Sequence, residues 1–152
     1  MPPIRVVFLC IGNSCRSQMA AGFARTYGAD VLIVQSAGLA PAMTVSSLTH
    51  QVMLEKNIDI GQEFPKSLEM TSSSDADLII NMSGHRLPRK TEARVEEWAV
   101  RDPIGENEEV YREVRDQIEQ RVMRLILKVR ASKPAVEAEP ARVDTRRRTP
   151  RQ

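Results

Sequence analysis

The sequence predicts an α/β protein: a three-layer open parallel four-stranded sheet with helices on both faces. Three observations predict it. Short apolar runs alternate with segments of helical periodicity, the pattern of repeated strand–helix–strand units. The first run, Ile4 to Leu9, is almost wholly apolar, which suits a strand buried on both faces of a parallel sheet. And 152 residues is the length of one domain with a real core.

The elements follow in order. The run from Ile4 ends at Cys10, and Gly12-Asn13-Ser14 signals a tight loop. From Ser17, residues Met19, Ala20, Phe23, Ala24 and Tyr27 recur at helical spacing, and Gly28 closes the helix. Val31 to Val34 reads as a second strand, ended by Ser36-Ala37-Gly38. Ser46 or Ser47 caps a second helix with Leu48, Val52 and Met53 on one face and Asn57 near its end. Residues 59–70 read as loop with a helical turn. Leu78 to Met82 is a third strand followed by Ser83-Gly84, and Val95 to Val100 a fourth. In the last helix Val110, Val114, Ile118, Val122, Leu125, Ile126 and Val129 form an apolar stripe, with Asn107 as its cap and charge on the opposite face. Beyond about residue 131 the periodicity stops and Pro, Ala and Arg dominate. Residues 1–130 therefore read as the folded domain and 131–152 as a disordered basic tail.

Charge and composition remove several function classes. The net charge is +2, but the tail from residue 131 alone is +3, which leaves the body at −1. The basic balance belongs to the tail, so nucleic acid is not an expected partner of the domain. No stretch approaches the roughly 20 apolar residues of a membrane span, and the N-terminus lacks the pattern of a signal peptide. A cytoplasmic protein with no membrane partner is expected. Two cysteines, Cys10 and Cys15, cannot build a disulfide scaffold. With His50 and His85 they match no zinc spacing. No glycine-rich dinucleotide motif follows the first strand. Neither a metal nor a cofactor is expected.

The chemistry concentrates at Cys10. A free thiol ionises at about 8.5, and a helix N-terminus with a neighbouring arginine lowers that value. The chain leaves a strand at Cys10, turns through Ile11-Gly12-Asn13-Ser14-Cys15 and enters a helix at Arg16. Such a loop turns successive N–H groups inward and makes an anion cradle. Gly12 is expected to allow the turn with a positive φ, an angle that Asn13 also tolerates. Arg16 would clamp two oxygens of a tetrahedral anion. The bare Cys-x5-Arg spacing is a weak signal in an arginine-rich chain. The preceding strand, the Gly-Asn-Ser turn and the following helix make it a strong one.

Cys10-Ile11-Gly12-Asn13-Ser14-Cys15-Arg16-Ser17 resembles the phosphate-binding loop of low-molecular-weight protein tyrosine phosphatases, and equally that of the thioredoxin-coupled arsenate reductases sharing their fold. The resemblance spans about residues 4–130 and implies the phosphotyrosine phosphatase I-like fold. It implies Cys10 as nucleophile, Arg16 as oxyanion clamp, Asn13 as keeper of the loop's shape and Ser17 as a hydrogen-bond donor to the thiolate. Ile11, Gly12, Ser14 and Cys15 complete the phosphate-binding loop, and Cys15 matches a second loop cysteine that pairs reversibly with the nucleophile. Ser36-Ala37-Gly38 matches a family turn. Asp102-Pro103 matches the family's acid loop: Asp102 would protonate the leaving oxygen and then activate water against the cysteinyl-phosphate intermediate.

The two branches differ in particulars. The phosphatases carry an aromatic after Asp-Pro and Met-Asp after the third strand; here Ile104-Gly105 and Met82-Ser83 stand there. Gln18-Met19-Ala20 and Glu97-Trp98 look like the reductases. Yet residues 81–88 hold no cysteine, so the reductases' intramolecular disulfide relay has no sulfur to run on. The sequence alone therefore ranks first a cysteine-dependent phosphomonoester hydrolase acting on a phosphorylated protein or small phosphoester. Second comes reduction of arsenate with an external thiol reductant, or Cys15 as the resolving thiol. Third is a phosphate- or arsenate-binding module with little turnover.

Overall fold

The computed structural model describes residues 2–132. The basic tail lies outside the described residues, apart from residues 131 and 132, which continue the last helix. The elements are β1 (Ile4–Cys10), α1 (Arg16–Gly28), β2 (Leu32–Gly38), α2 (Ser47–Leu54), β3 (Leu78–Asn81), β4 (Arg94–Glu97) and α3 (Glu108–Ser132), with short 3-10 helices at Leu68–Met70 and Ser73–Asp75. The four strands are parallel, in the order β2-β1-β3-β4. The chain thus leaves β1 first toward one edge and later toward the other. β1 is the switch point of the sheet, and the crevice beyond its carboxyl end is where such folds bind ligands. That end is Cys10.

Alternation along β1 sorts its side chains between two cores. Val6, Phe8 and Cys10 face α1, α2 and α3, packing with Met19, Phe23, Met53, Ile118, Val122 and Ile126. Val7 and Leu9 face the other way, with Ala37 and Ile79, and are roofed by Leu39, Leu68, Ala76, Leu87 and Ala93. The expected three layers are therefore present. All three α-helices pack on one face. The layer on the other is built from the two 3-10 helices and the loop that follows β3.

Several boundaries differ from the sequence reading. β2 runs on through Ser36-Ala37-Gly38, because pairing with β1 continues to the partners Cys10 and Gly38; the three residues end a strand rather than form a turn. β4 starts at Arg94 and stops at Glu97, since Val100 O is taken by the Arg16 side chain instead of the sheet. α2 ends at Leu54, and Asn57 lies beyond it with φ 60°. Ser46 precedes α2, but its hydroxyl meets the Tyr111 hydroxyl (3.0 Å) rather than capping the helix. Asn107 does cap α3, its Oδ1 accepting from Val110 N at 3.1 Å.

Two contacts fix the frame around β1. A Cβ on Gly38 would stand 2.6 Å from Ile11 O, 2.8 Å from Asn13 N and 2.9 Å from Gly12 C, all backbone. The loop after β1 therefore rests directly on the end of β2. On the helical face, Glu55 ties α2 to α3. It accepts from Arg112 Nη2 at 2.8 Å and from Arg115 Nη1 at 2.6 Å.

Two expectations follow from these contacts. Gly38→Ala pushes backbone against backbone and should lower stability by about 1–3 kcal/mol, read as a lower urea midpoint. The hydrogen bonds from Arg112 and then Arg115 hold the Glu55 carboxyl down at about 2. A depressed carboxylate stabilises fully above its unfolded value of about 4.5 and loses that contribution as pH falls. The Tm difference between wild type and Glu55→Gln should therefore be whole at neutral pH and shrink between pH 4.5 and 2.

Candidate active site

The loop from Cys10 to Cys15 is held from outside. Cys10 O accepts from Leu39 N (3.0 Å), Ile11 O from Ala40 N (2.8 Å), Gly12 O from Ala42 N (2.9 Å) and Ser14 O from Ser46 N (3.2 Å). Ser14 O also accepts from Thr49 Oγ1 at 2.9 Å, and Asn13 O from Gln18 Nε2 at 3.1 Å. Five successive carbonyls thus point outward. In a trans peptide the C=O and the next N–H point opposite ways, so the amides of residues 11–15 turn toward the inside of the loop. This is the geometry of a backbone anion nest.

The positive φ that the loop needs falls on Asn13 (53°), not on Gly12. Gly12 needs no special angle, and a Cβ there would meet Ala42 Cβ at an ordinary 3.6 Å. Asn13 suits the left-handed region because its short amide bonds locally. Its side chain is fully buried.

A fixed chain of hydrogen bonds runs to the sulfur. The Lys66 backbone N–H donates to Asn13 Oδ1 (3.0 Å), which settles which end of the amide accepts. Asn13 Nδ2 then donates to Ser17 Oγ (2.7 Å) and to Ser36 Oγ (3.0 Å). Ser17 Oγ is 2.9 Å from Cys10 Sγ. With its lone pair engaged by Asn13, the Ser17 hydroxyl turns its proton to the sulfur. That polarity sets a hydrogen-bond donor against the sulfur.

Cys15 sits differently. It caps α1, is buried, and its Sγ lies 3.5 Å from the Tyr111 hydroxyl of α3. Burial pushes its thiol above the ordinary value, against the opposing hydrogen bonds of Thr49, Tyr111 and Ser14. Burial likewise pushes Tyr111 up to about 12. Cys15 thus contributes backbone to the loop while its side chain is occupied by α3.

Arg16 is buried at the start of α1, and its guanidinium braces two later loops. Nη1 donates to Met82 O (2.6 Å) and Val100 O (3.1 Å), and Nη2 stands 3.4 Å from Asp102 Oδ2. The side chain that the sequence reading makes the oxyanion clamp here holds the segments after β3 and β4 together. It thereby brings Asp102 to the end of the sheet where the Cys10 loop lies. Asp102 Oδ1 accepts from Ile104 N (3.1 Å), Pro103 is buried, and Glu106 N donates to Pro103 O (2.9 Å) across Gly105 at φ 83°. The acid loop is a closed turn with an exposed Ile104 at its tip.

Ser83 stands in a tight turn after β3. Its N–H and its hydroxyl both donate to Asn81 Oδ1, at 2.9 and 2.6 Å. His85 and Arg86 are exposed beyond it. A cavity of about 360 Å³ lined by Arg16, Met82, Ser83, Gly84, Trp98 and Arg101 opens beside this turn. Among the described residues no three His, Cys, Asp or Glu side chains gather as a metal site, and no helix is long and apolar enough to cross a membrane.

The structure therefore brings Cys10, Asn13, Ser17, Arg16 and Asp102 to one end of the sheet. Sequence reasoning missed Thr49, Lys66 and Tyr111, whose partners lie on other segments. Gln18 was read only within the reductase-like Gln18-Met19-Ala20; its hold on Asn13 is seen in the structure.

Comparison with known proteins agrees with this geometry. Residues 5–135 match the low molecular weight phosphotyrosine protein phosphatase family. The chain is 40% identical over 129 residues to a glutaredoxin arsenate reductase of Synechocystis sp. (82% of this chain, 98% of that protein). It is 34% identical over 123 residues to an arsenate reductase of Bacillus cereus (78% and 91%). Among solved structures it resembles an arsenate reductase in the phosphate-binding state, with a TM-score of 0.76 at 39% identity over 85% of this chain and 99% of that one. It also resembles the YwlE arginine phosphatase of Geobacillus stearothermophilus, with a TM-score of 0.76 at 29% identity over 89% and 97%. The strand-to-helix loop at Cys10 and the match across nearly all the described residues place this chain in the low molecular weight phosphotyrosine protein phosphatase family.

Proposed function

We propose that this protein is an arsenate reductase that takes its electrons from an external thiol. The observation that carries the reading is Cys10 Sγ receiving the Ser17 hydroxyl at the start of an amide-lined loop, in a chain whose other cysteine faces Tyr111. The relatives shift the balance away from hydrolysis, which the sequence alone ranks first: the curated proteins named above are reductases.

The chemistry balances on the residues present. The Cys10 thiolate attacks As(V) of arsenate, held by the loop amides and Arg16. A sulfur–arsenic bond forms and one arsenic–oxygen bond breaks. Asp102, beside Arg16, supplies a proton to the departing oxygen, which leaves as water. An external thiolate then attacks Cys10 Sγ. A disulfide bond forms, the sulfur–arsenic pair of electrons goes to arsenic, and arsenite leaves. A second thiol cleaves the mixed disulfide and restores Cys10. Two thiols are oxidised for each arsenate reduced.

The donor must come from outside. The chain has two cysteines, and Cys15 is buried, tied to Tyr111 and biased toward the thiol. A thiol that is not ionised is a poor attacker. The Synechocystis relative is named for glutaredoxin, and a donor of that class, or a small free thiol, is the partner assigned here. A second reading, phosphomonoester hydrolysis, is favoured by one contact: Asp102 beside Arg16 is equally the acid that a phosphoester leaving group needs. The arginine phosphatase neighbour supports it.

A paired assay separates the two: arsenate-dependent oxidation of glutathione with and without glutaredoxin, against hydrolysis of p-nitrophenyl phosphate. Reductase turnover that exceeds ester hydrolysis is expected, and hydrolysis without arsenate-dependent thiol oxidation would reverse the assignment. Cys10→Ser should abolish both activities. Cys15→Ser should retain most of the thiol-dependent turnover, and its loss would make Cys15 the resolving thiol. Asp102→Ala should lower kcat by about 10²–10⁴.

A further inference from the structure

Gln18 is fully buried one turn into α1, and its amide is used unevenly. Nε2 donates toward three oxygens: Asn13 O at 3.1 Å, Asn13 Oδ1 at 3.2 Å and Phe64 O at 3.3 Å. All three can only accept, which fixes the amide's orientation. Oε1, buried on the other side, has no protein donor among the described residues. A buried amide that satisfies one end and strands the other is a poor choice for stability alone. An apolar side chain of similar length would carry no stranded acceptor.

The satisfied end acts on the part of the loop that controls the sulfur. Asn13 is the residue in the left-handed conformation, and its Nδ2 orients Ser17 toward Cys10. Gln18 grips Asn13 at both its backbone and side-chain oxygens. It also ties in Phe64 O, two residues before the Lys66 amide that binds the same Asn13 Oδ1. Lys66 O in turn accepts from Gly38 N at 2.8 Å, on the strand end under the loop.

We propose that Gln18 is a positioning residue for the nucleophile: through Asn13 it locks the Ser17 hydroxyl onto Cys10 Sγ and clamps the 64–66 segment to the loop. It touches neither the substrate nor the sulfur. The proposal rests on the reading of Cys10 as nucleophile, whatever oxyanion it attacks.

The test uses the full chain and three variants, Gln18→Met, Gln18→Glu and Cys10→Ser. Gln18→Met keeps the length and removes both the donor and the stranded acceptor. Gln18→Glu keeps the shape but sets a carboxylate against three acceptors. The rate of Cys10 alkylation by iodoacetamide is followed from pH 4 to 9 by peptide mass, beside Tm and turnover. Gln18→Met is expected to change Tm little, the removed stranded acceptor offsetting the donor lost to Asn13 O, while its alkylation profile moves to higher pH and kcat falls at least tenfold. Gln18→Glu is expected to move the profile further in the same direction. Either of two results overturns the proposal: an alkylation profile unmoved in Gln18→Met with turnover within twofold of wild type, or a turnover loss that follows a fallen Tm with the profile unmoved. A fully active Cys10→Ser would instead overturn the underlying assignment of the nucleophile.

Discussion

Everything at the active end of this protein depends on where six backbone carbonyls are sent. The loop after β1 has no regular structure to hold it, and left alone its polar groups would bond at random with water. Instead the 39–46 segment, Thr49 and Gln18 take the carbonyls from Cys10 to Ser14, and Cys15 O enters the α1 ladder through Met19 N. The planarity of the peptide does the rest, turning the intervening amides inward. The anion site is thus assembled by satisfying acceptors on its outer surface. Its inner surface is lined by the backbone N–H groups of residues 11–15.

The same economy explains why neighbouring residues matter more than their chemistry suggests. Ser17, Asn13 and Lys66 form a line in which each bond fixes the direction of the next. The Lys66 backbone amide, which can only donate, sets the sense of the whole series. Arg16 plays a comparable part on the opposite side, where its bonds to Met82 O, Val100 O and Asp102 join two loops that no sheet ladder connects. A single buried side chain at the start of α1 therefore sets the distance between the anion loop and the acid loop.

The loop, the strand that feeds it and the final helix were legible in the sequence because their signals are local. Cys10 to Ser17 are contiguous, and the apolar stripe from Val110 to Ile126 repeats at helical spacing. Asp102 was found through the Asp-Pro pair. What stayed hidden depends on contacts between distant segments. Nothing around Tyr111 announces that its hydroxyl will meet Cys15, and nothing around Lys66 announces that its backbone will hold Asn13. β2 was read short because Ser36-Ala37-Gly38 has the composition of a turn, yet pairing with β1 keeps it extended. The sequence allows the left-handed angle at Gly12 and also at Asn13. The hydrogen bonds at Asn13 decide between them.

The sheet's two faces are roofed unequally, and this has a consequence for how such a protein diversifies. The sulfur and its helix lie on the face sealed by α1, α2 and α3, whose buried side chains form the larger core cluster. The opposite face is covered by two brief 3-10 helices and by the loop after β3, through Leu68, Ala76, Leu87 and Ala93. Substitutions in that thin cover disturb few neighbours. The segment after β3 can therefore vary with less repacking than the loop at Cys10, whose carbonyls are held by the 39–46 segment, Thr49 and Gln18.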